Sequence, residues 1–300
     1  MRYISTSIKN LKTIVNTIQN WYDVLQFRSG LKRRITIITR RGDIIEIKNK
    51  DDYINYFNGP DFAHLVLDCW KNQYKDRIKV LDNTIEVDGR FFAYKNKTEY
   101  YHLLNAILHI FIENEYNIDI LGVQGKTVID IGANIGDTAI YFVSRAALEV
   151  IGFEPMPSMF ERARENVRLN RLDGSITIFN MAVGKEKGIL KLPELAVHSY
   201  FCKASSVTGT EGREVPVITL DQIVKTNPGK RLVLKMDIGG SEYEIMQNTS
   251  NETLSRFDTM VVECHTPNNG KKTEYKPLVD KFRNAGFKTK IIRDLIYAWK

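Results

Sequence analysis

The sequence lacks any long uninterrupted apolar run. Its richest apolar segment, Leu103–Ile112, is interrupted by Asn105 and His109 and falls well short of the roughly 20 residues that cross a bilayer. The N-terminus has no apolar core followed by small residues, so no secretion signal is predicted. We therefore expect a cytoplasmic protein without a transmembrane segment.

Cysteines are few, and none belongs to a closely spaced pair. Cys69, Cys202 and Cys264 lie far apart in the chain, outside any Cys-x-x-Cys motif. This spacing excludes a disulfide framework or a zinc ribbon and favours a reducing compartment. His102 and His109 lie seven residues apart on one predicted helix, a separation that does not bring two imidazoles to one metal. We therefore predict no metal centre.

The net charge of +7 is concentrated at the two ends of the chain. Residues 1–60 hold 11 Lys and Arg against 5 Asp and Glu, and residues 271–300 hold 9 against 3. Basic ends can attract nucleic acid, anionic lipid or a phosphorylated substrate, or can be solvated surface. Because no basic patch interleaved with aromatic residues accompanies the charge, we favour solvated surface. A nucleic-acid partner and a peripheral membrane contact stay open, and the oligomeric state is not predicted.

Residues 1–95 are predicted to form a helix followed by a small antiparallel sheet. Apolar residues recur every three or four positions along residues 4–25, which predicts one amphipathic helix. This helix can lie on a membrane surface, but we favour packing on its own domain. Two predicted hairpins follow, Ile35–Thr39 with Ile44–Ile47 around Gly42, and Thr84–Val87 with Arg90–Tyr94 around Asp88 and Gly89.

Residues 96–300 are predicted to form an α/β domain with its core at residues 125–299. A helix capped by Thr98 and ending near Asn114 precedes short apolar strands that alternate with helices, the pattern of a parallel sheet covered on both faces. The predicted strands are Thr127–Ile131, Val150–Phe153, Ile176–Asn180, Leu232–Met236 and Met260–Glu263, then a closing hairpin of Phe287–Ile292 and Leu295–Trp299. We expect a Rossmann-like sheet of seven strands in which only the last is antiparallel, an ending that dehydrogenase-type folds do not normally have.

A glycine-containing turn after the first of these strands predicts a ligand site. Ligands of such sheets bind beyond the carboxyl ends of the strands, where Gly132 and Gly136 let the backbone approach a ligand closely. Glu154 follows the second strand, 22 residues beyond Gly132, and suits the two hydroxyls of a ribose. That spacing fits a nicotinamide cofactor equally well. However, the turn is not Gly-x-Gly-x-x-Gly and is preceded by the acid Asp130, which favours a cationic sulfonium over a pyrophosphate.

Several segments, in this order and spacing, closely resemble the FkbM family of methyltransferases over residues 125–299. They are Val128–Asp137 (VIDIGANIGD), Gly152–Pro155 (GFEP), Asn180–Gly184 (NMAVG), Val217–Asp221 (VITLD), Leu234–Asp237 (LKMD) and Glu263–His265 (ECH). The resemblance implies a class I methyltransferase fold and S-adenosylmethionine as cofactor. It further implies O-methylation of a hydroxyl on a sugar, glycan, lipid or other small acceptor.

The resemblance also implies roles for individual residues of the cofactor site. By this likeness the methionine part lies against Asp130, Gly132, Asn134 and Gly136, the ribose binds Glu154, and Met181 and Ala182 border the adenine. Residues 1–95 lie outside the resemblance and are expected to help shape the acceptor side.

Asp237 and His265 are the predicted catalytic residues, because they follow the fourth and fifth strands of the predicted sheet. The imidazole can take the proton of an acceptor hydroxyl at neutral pH, with the carboxylate of Asp237 or Glu263 orienting it. The alternatives are that Asp237 only caps the next helix and that His265 is an ordinary loop histidine.

The chain departs from the family pattern at one position, Gly239. Family members commonly read Asp-x-Glu-Gly-x-Glu after the fourth strand, whereas residues 237–242 read DIGGSE. Either Asp237 and Glu242 suffice, or acceptor recognition differs, or the protein binds the cofactor with little or no catalysis. An RNA methyltransferase is a further alternative because the chain ends are basic, although no Asn/Asp-Pro-Pro-Tyr motif for methylating base amino groups is present.

Overall fold

The computed structural model describes residues 11–58, 60–192, 212–265 and 275–300. The chain divides into two compact units. The first consists of Met1–Gly89 and Tyr94–Leu108, and the second of Arg90–Ala93 and His109–Lys300. The domain boundary placed at residue 95 from the sequence stays a prediction.

The first unit combines helices with short antiparallel strands around its own apolar core. Its elements are α1 (Leu11–Thr17), α2 (Trp21–Arg28), β1 (Ile35–Ile38), β2 (Ile44–Ile47), α3 (Lys50–Asn58), α4 (Pro60–Gln73), β3 (Ile78–Leu81), β4 (Thr84–Val87) and α5 (Lys97–Ile107). The core includes Ile14, Ile18, Val24, Ile37, Phe57, Phe62 and Leu65. Helices α3 and α4 and strand β3 were not predicted from the sequence.

The single amphipathic helix predicted over residues 4–25 is wrong for the part that the structure describes. Helix α1 ends before Ile18, which forms a β-bridge with Thr39. The Asn20 side chain then accepts a hydrogen bond from the Ile38 amide at 2.8 Å and donates to the Thr36 carbonyl at 2.6 Å. These contacts with β1 interrupt the helix and override its periodicity. Residues 4–10 of the predicted stripe lie outside the described residues.

The first predicted hairpin is confirmed, and the turn of the second has the expected backbone. Strands β1 and β2 pair antiparallel from Ile35↔Ile47 to Ile38↔Ile44. Strand β4 is followed by Asp88 and Gly89 with φ of 48° and 76°, the left-handed values that a tight two-residue turn requires. The next strand, β5, spans Arg90–Ala93.

The helix predicted from Thr98 to Asn114 begins and ends differently. Asn96 caps α5, because its side chain accepts a hydrogen bond from the Glu99 amide at 2.9 Å. The chain then continues as a π-helix over Leu108–Ile112. Extra residues in π-helices often occur at functional sites, and this one leads into the buried Tyr116 described below.

The second unit is built on a seven-stranded sheet. Its strands are β6 (Thr127–Ile131), β7 (Glu149–Phe153), β8 (Ile176–Phe179), β12 (Leu232–Met236), β13 (Phe257–Glu263), β14 (Lys288–Ile292) and β15 (Leu295–Trp299). Their order across the sheet is β14-β15-β13-β12-β6-β7-β8, and only β15 runs antiparallel to its neighbours. The predicted mostly parallel sheet with an antiparallel closing hairpin is therefore confirmed.

Helices cover this sheet, and every residue of its central strands is buried. All positions of β6 and β12 are buried, as expected for parallel strands between two layers. The helices are α6 (Ile118–Leu121), α7 (Asp137–Ser144), α8 (Pro157–Leu169), α9 (Leu220–Lys225), α10 (Glu242–Asn248), α11 (Asn251–Ser255) and α12 (Lys276–Asn284). Strands β9 (Ala182–Val183), β10 (Gly188–Leu192) and β11 (Arg213–Ile218) form a smaller sheet in the order β10-β11-β9.

Two asparagines of α8 bind the backbone of neighbouring segments. Asn166 accepts a hydrogen bond from the Ala93 amide at 3.0 Å and donates to the Ile135 carbonyl at 2.9 Å. Asn170 bonds both the amide and the carbonyl of Phe91, at 2.9 and 2.7 Å. Asn166 is fully buried, and its bond to Ile135 is buried as well.

Replacing Asn166 with Ala is expected to destabilise the protein by about 1–3 kcal/mol, because it leaves the buried Ile135 carbonyl unpaired and removes the acceptor of the Ala93 amide. Urea unfolding measures the loss. Arg168→Ala, at an exposed position of the same helix, should change stability by less than about 0.5 kcal/mol. Equal effects of the two substitutions would contradict this account of Asn166.

Candidate active site

The glycine turn after β6 lies against the residue that follows β12. Gly132 has a φ of 81°, and a Cβ on it would lie 1.8 Å from the carbonyl oxygen of Asp237. The Asp237 amide in turn donates to the Ile131 carbonyl at 3.0 Å. No side chain fits at position 132, so glycine brings the carboxyl ends of β6 and β12 together. Gly136, with a φ of 80°, then begins α7.

Glu154 follows β7, and backbone amides hold its carboxylate. Oε2 accepts from the Asn134 amide at 2.9 Å and Oε1 from the Met156 amide at 2.8 Å. Burial raises the pKa of Glu154 to about 7. Each oxygen keeps a second lone pair, so the ionised carboxylate can still accept two hydroxyl hydrogens.

Asp130, the acid that precedes the turn, is fully buried and bound within the protein. Its Oδ2 accepts from the Thr138 hydroxyl at 2.5 Å. Its Oδ1 lies 3.1 Å from the ammonium of Lys235. These contacts direct the Asp130 carboxylate to the protein itself, where it supports the turn and the start of α7.

Lys235 is a site residue that the sequence analysis missed. Its side chain is 2% exposed, and its ammonium donates to the Gly132 carbonyl at 2.8 Å and lies 5.6 Å from the centre of the Tyr116 ring. Burial alone would lower the pKa of Lys235, but the carboxylates of Asp130 and Asp237 outweigh it and raise this pKa. A charged residue inside a strand whose other residues are apolar was the signal that could have revealed it.

The predicted catalytic residues, Asp237 and His265, lie close together, but a third residue lies closer to the histidine. His265 Nε2 is 3.9 Å from Asp237 Oδ1, whereas Nδ1 is only 2.8 Å from Oε1 of Glu242 at the start of α10. Tyr116 extends the cluster, with its hydroxyl 3.5 Å from Asp237 Oδ2. The expectation that Asp237 or Glu263 orients the imidazole does not match this geometry.

Further carboxylates surround this pair. Glu263 Oε1 lies 3.7 Å from His265 Nε2. Burial, together with the charges of Asp237 and Glu115, raises the pKa of Glu263 well above its ordinary value. Burial likewise raises the pKa of Glu115 to about 7. The surroundings of His265 therefore carry an excess of acidic groups.

Met181 and Ala182 follow β8, next to the backbone of Glu154. The connecting residue, Asn180, donates its side-chain amide to the carbonyls of Glu154 and Pro155 at 3.0 and 2.9 Å. Met181 is partly buried against the main core, and Ala182 is buried in β9. The turn containing Asn134, the carboxylate of Glu154 and this segment thus meet at the carboxyl ends of β6, β7 and β8.

Asp237, Glu242 and His265 offer ligand atoms within 4.8 Å of one another, a spacing that a metal ion could use. Nδ1 of His265 and Oε1 of Glu242 are however bound to each other, and the same Oε1 accepts two backbone amides. We therefore assign no metal to this group, and the expectation of a metal-free site stays a prediction. No helix of the described residues combines the length and apolar character needed to span a membrane.

Comparison with known proteins identifies the class. The methyltransferase FkbM domain matches residues 130–289. Methyltransferase 1 of Beauveria bassiana is 22% identical over 201 residues, 60% of this chain and 80% of that protein. The AMB antimetabolite synthetase AmbE of Pseudomonas aeruginosa is 22% identical over 242 residues, which make up 67% of this chain but only 11% of AmbE.

Solved methyltransferase structures are similar to the chain only distantly. A precorrin-6y methyltransferase from Geobacter metallireducens shares 14% identity with a TM-score of 0.38, covering 62% of this chain and 86% of that one. A methyltransferase from Aquifex aeolicus shares 11% identity with a TM-score of 0.37, covering 68% and 98%. These scores are low, so the strand order defines the fold.

The strand order and the matched domain define an S-adenosylmethionine-dependent methyltransferase of class I fold. The domain match extends over more than half of the chain. The chain belongs to the FkbM methyltransferase family.

Replacing Lys235 with Met is expected to lower the free energy of unfolding by about 3–5 kcal/mol, because it leaves the buried Asp130 carboxylate without its cation. Urea unfolding measures the change. The control is Lys230→Met, which removes the 36%-exposed partner of Glu149 and should cost less than about 1 kcal/mol. A loss at Lys235 no larger than that of the control would show that the buried ion pair is dispensable.

Proposed function

We propose that this methyltransferase O-methylates a hydroxyl group of a sugar, glycan, lipid or other small acceptor. The observation that carries the proposal is the position of His265 beside Asp237, at the carboxyl ends of β13 and β12. The backbone of Asp237 lies against the turn at Gly132, and His265 lies beside Asp237. An imidazole at this place can take a proton from a hydroxyl next to the bound cofactor.

The cofactor site of this proposal consists of the residues around the turn after β6. Gly132, Asn134 and Gly136 would face the methionine part, with Asp130 holding the turn from beneath. Glu154 would accept the ribose hydroxyls, and Met181 and Ala182 would border the adenine. The residues present fit this ligand, since Glu154 keeps acceptor capacity on both oxygens.

The reaction on these residues is an in-line displacement at a methyl carbon. S-adenosylmethionine, when bound, supplies a methyl group on a sulfonium that is already a good leaving group. The bound cofactor would give its methyl group to the acceptor oxygen and leave as S-adenosylhomocysteine, and His265 Nε2 would take the hydroxyl proton. Most of the acceleration then comes from positioning, and proton removal contributes the rest.

The acidic surroundings of His265 support a neutral acceptor. Glu263 and Glu115 lie beside Asp237 on this side of the site, and the Asp237 carboxylate would repel a phosphate of RNA. A hydroxyl, by contrast, can donate to any of them. Gly239 is compatible with catalysis in this scheme, because Asp237, Glu242 and His265 still converge without a carboxylate at position 239.

Replacing Glu154 with Ala is expected to weaken binding of S-adenosylhomocysteine by about 30- to 1,000-fold. The variant loses two charge-assisted hydrogen bonds to the ribose, together about 2–4 kcal/mol. Calorimetry measures the affinity. Unchanged affinity, or tight binding of NADH instead, would contradict the assignment of this carboxylate to the ribose.

The pH dependence of the same affinity provides a control. Ribose hydroxyls donate to the ionised carboxylate, so binding should weaken as the pH falls through the pKa of Glu154, about 7. At pH 6 only about a tenth of the Glu154 carboxylate is ionised, so the wild-type affinity should be about tenfold lower than at pH 8. Glu154→Gln should bind weakly at both values and lose this dependence.

Replacing Asp237 with Asn or His265 with Ala is expected to lower turnover by about 100-fold or more. Each should leave the affinity for S-adenosylhomocysteine within a few-fold of the wild type, because both residues lie on the proposed acceptor side. Transfer of a labelled methyl group into cellular glycan, lipid and RNA fractions identifies the acceptor and measures the rate.

Glu252→Gln is a control for the loss of a polar side chain in the same unit, because Glu252 is an exposed residue of α11 and is not among the proposed site residues. It should turn over normally. Normal turnover by both Asp237→Asn and His265→Ala would show that other residues catalyse the transfer. Methyl label found only in the RNA fraction would contradict a small acceptor and indicate a nucleic-acid substrate.

A further inference from the structure

The Glu242 carboxylate occupies an unusual position among the acids of the site. Its side chain is fully buried, and its Oε1 lies within hydrogen-bonding distance of three groups. It accepts from the backbone amides of Ile238 and Gly240, both at 3.1 Å. The third group is Nδ1 of His265, at 2.8 Å. One oxygen therefore binds both the loop that follows Asp237 and the imidazole.

We propose that Glu242 is a positioning residue that holds His265 in the tautomer with hydrogen on Nδ1, leaving Nε2 as the proton acceptor. This inference rests on the proposed function of His265. Glu242 itself would not touch the acceptor, and its effect would pass through the imidazole.

The distances around the imidazole distinguish its two nitrogens. Nδ1 lies within hydrogen-bonding distance of Glu242, whereas Nε2 lies 3.9 Å from Asp237 and 3.7 Å from Glu263, both beyond it. With hydrogen on Nε2 alone, the lone pair of Nδ1 would face a carboxylate oxygen at 2.8 Å. That contact is repulsive, so the buried carboxylate selects the Nδ1–H form. A histidine base oriented by a buried acid is the arrangement of a catalytic triad.

The backbone donors of Glu242 come from a loop that only glycines permit. Gly239 and Gly240 have φ of 75° and 130°, values that residues with a side chain rarely adopt. In this conformation the amides of Ile238 and Gly240 both point at the same Oε1. The Glu242 carboxylate thus contacts both the loop that begins at Asp237 and the ring of His265. Gly239, which stands where family members commonly have a glutamate, is part of that loop.

Among the described residues, the titratable groups found to face His265 are acidic. They are Glu242 on α10, Asp237 after β12, Glu263 on β13 and Asp294 between β14 and β15. Burial alone would lower the pKa of His265, but the hydrogen bond to Glu242 and the charges of Glu242, Asp237 and Asp294 outweigh it and raise this pKa. Removing the charge of Glu242 should therefore lower the pKa of His265. Removing its hydrogen bond should allow the neutral imidazole to carry its hydrogen on either nitrogen.

Long-range nitrogen–proton NMR of protein labelled with 15N-histidine tests both effects without a known acceptor. The chain has five histidines, and the signals of His265 are those missing from His265→Gln. With S-adenosylhomocysteine bound, neutral His265 should carry its hydrogen on Nδ1 and titrate above an ordinary histidine. Glu242→Gln should keep this tautomer through its amide oxygen but lower the pKa of His265 by about 1–3 units. Glu242→Met should lower this pKa as well, and it should in addition allow neutral His265 to carry its hydrogen on Nε2.

The matched control is Glu244→Gln on the same helix. Glu244 is 56% exposed and pairs with Lys185, so its replacement should leave the tautomer and the pKa of His265 unchanged. Hydrogen on Nε2 in the wild type, or no shift in Glu242→Gln, would overturn the inference. If Glu242→Met does not fold, the titration of Glu242→Gln still decides.

Kinetics then separate this inference from the proposed function. Once an acceptor is known, the acid limb of the pH profile of kcat should move to lower pH in Glu242→Gln, whereas loss of stability alone would lower kcat without moving the limb. Normal turnover by His265→Ala would overturn the proposed function, whatever the tautomer. An inactive His265→Ala with an unchanged limb in Glu242→Gln would overturn only the role of Glu242.

Discussion

A buried ammonium group, that of Lys235, joins the parts of this site. Burying a charge costs several kcal/mol unless partners compensate it, and here Asp130 and the Gly132 carbonyl do so. The same ammonium lies under the ring of Tyr116, whose hydroxyl approaches Asp237. Turn, central strand and the proposed acceptor side are therefore joined through one residue, whose carboxylate partner Asp130 is fully buried.

The coupling is tight because backbone meets backbone at the centre of the sheet. A side chain on Gly132 would collide with the carbonyl of Asp237, and the amide of Asp237 is bonded to Ile131. The turn that would hold the cofactor and the residue that would face the acceptor thus cannot move independently. For methyl transfer this matters, since an in-line reaction depends on a fixed distance between donor and acceptor.

The carboxyl groups of the site differ in their hydrogen-bond partners and in the charges near them, and these differences suit them to different roles. Glu154 binds two backbone amides and keeps acceptor capacity, which suits a carboxylate that meets hydroxyls. Glu242 is bound to two backbone amides and an imidazole through one oxygen. Glu263 lies among like charges, and its burial raises its pKa well above the ordinary value, so it suits a neutral, hydrogen-donating role.

The sequence by itself determined the strands of the main sheet, the closing hairpin and the positions of Glu154, Asp237 and His265. Buried strands have a local signature, and parallel strands bring the residues that follow them to one edge. Tertiary structure alone decided that Ile18 interrupts the first helix, that Lys235 points into the site, and that Glu242 rather than Asp237 or Glu263 binds His265. These outcomes depend on which side chains meet across distant segments, and no periodicity along the chain encodes the direction of a single hydrogen bond.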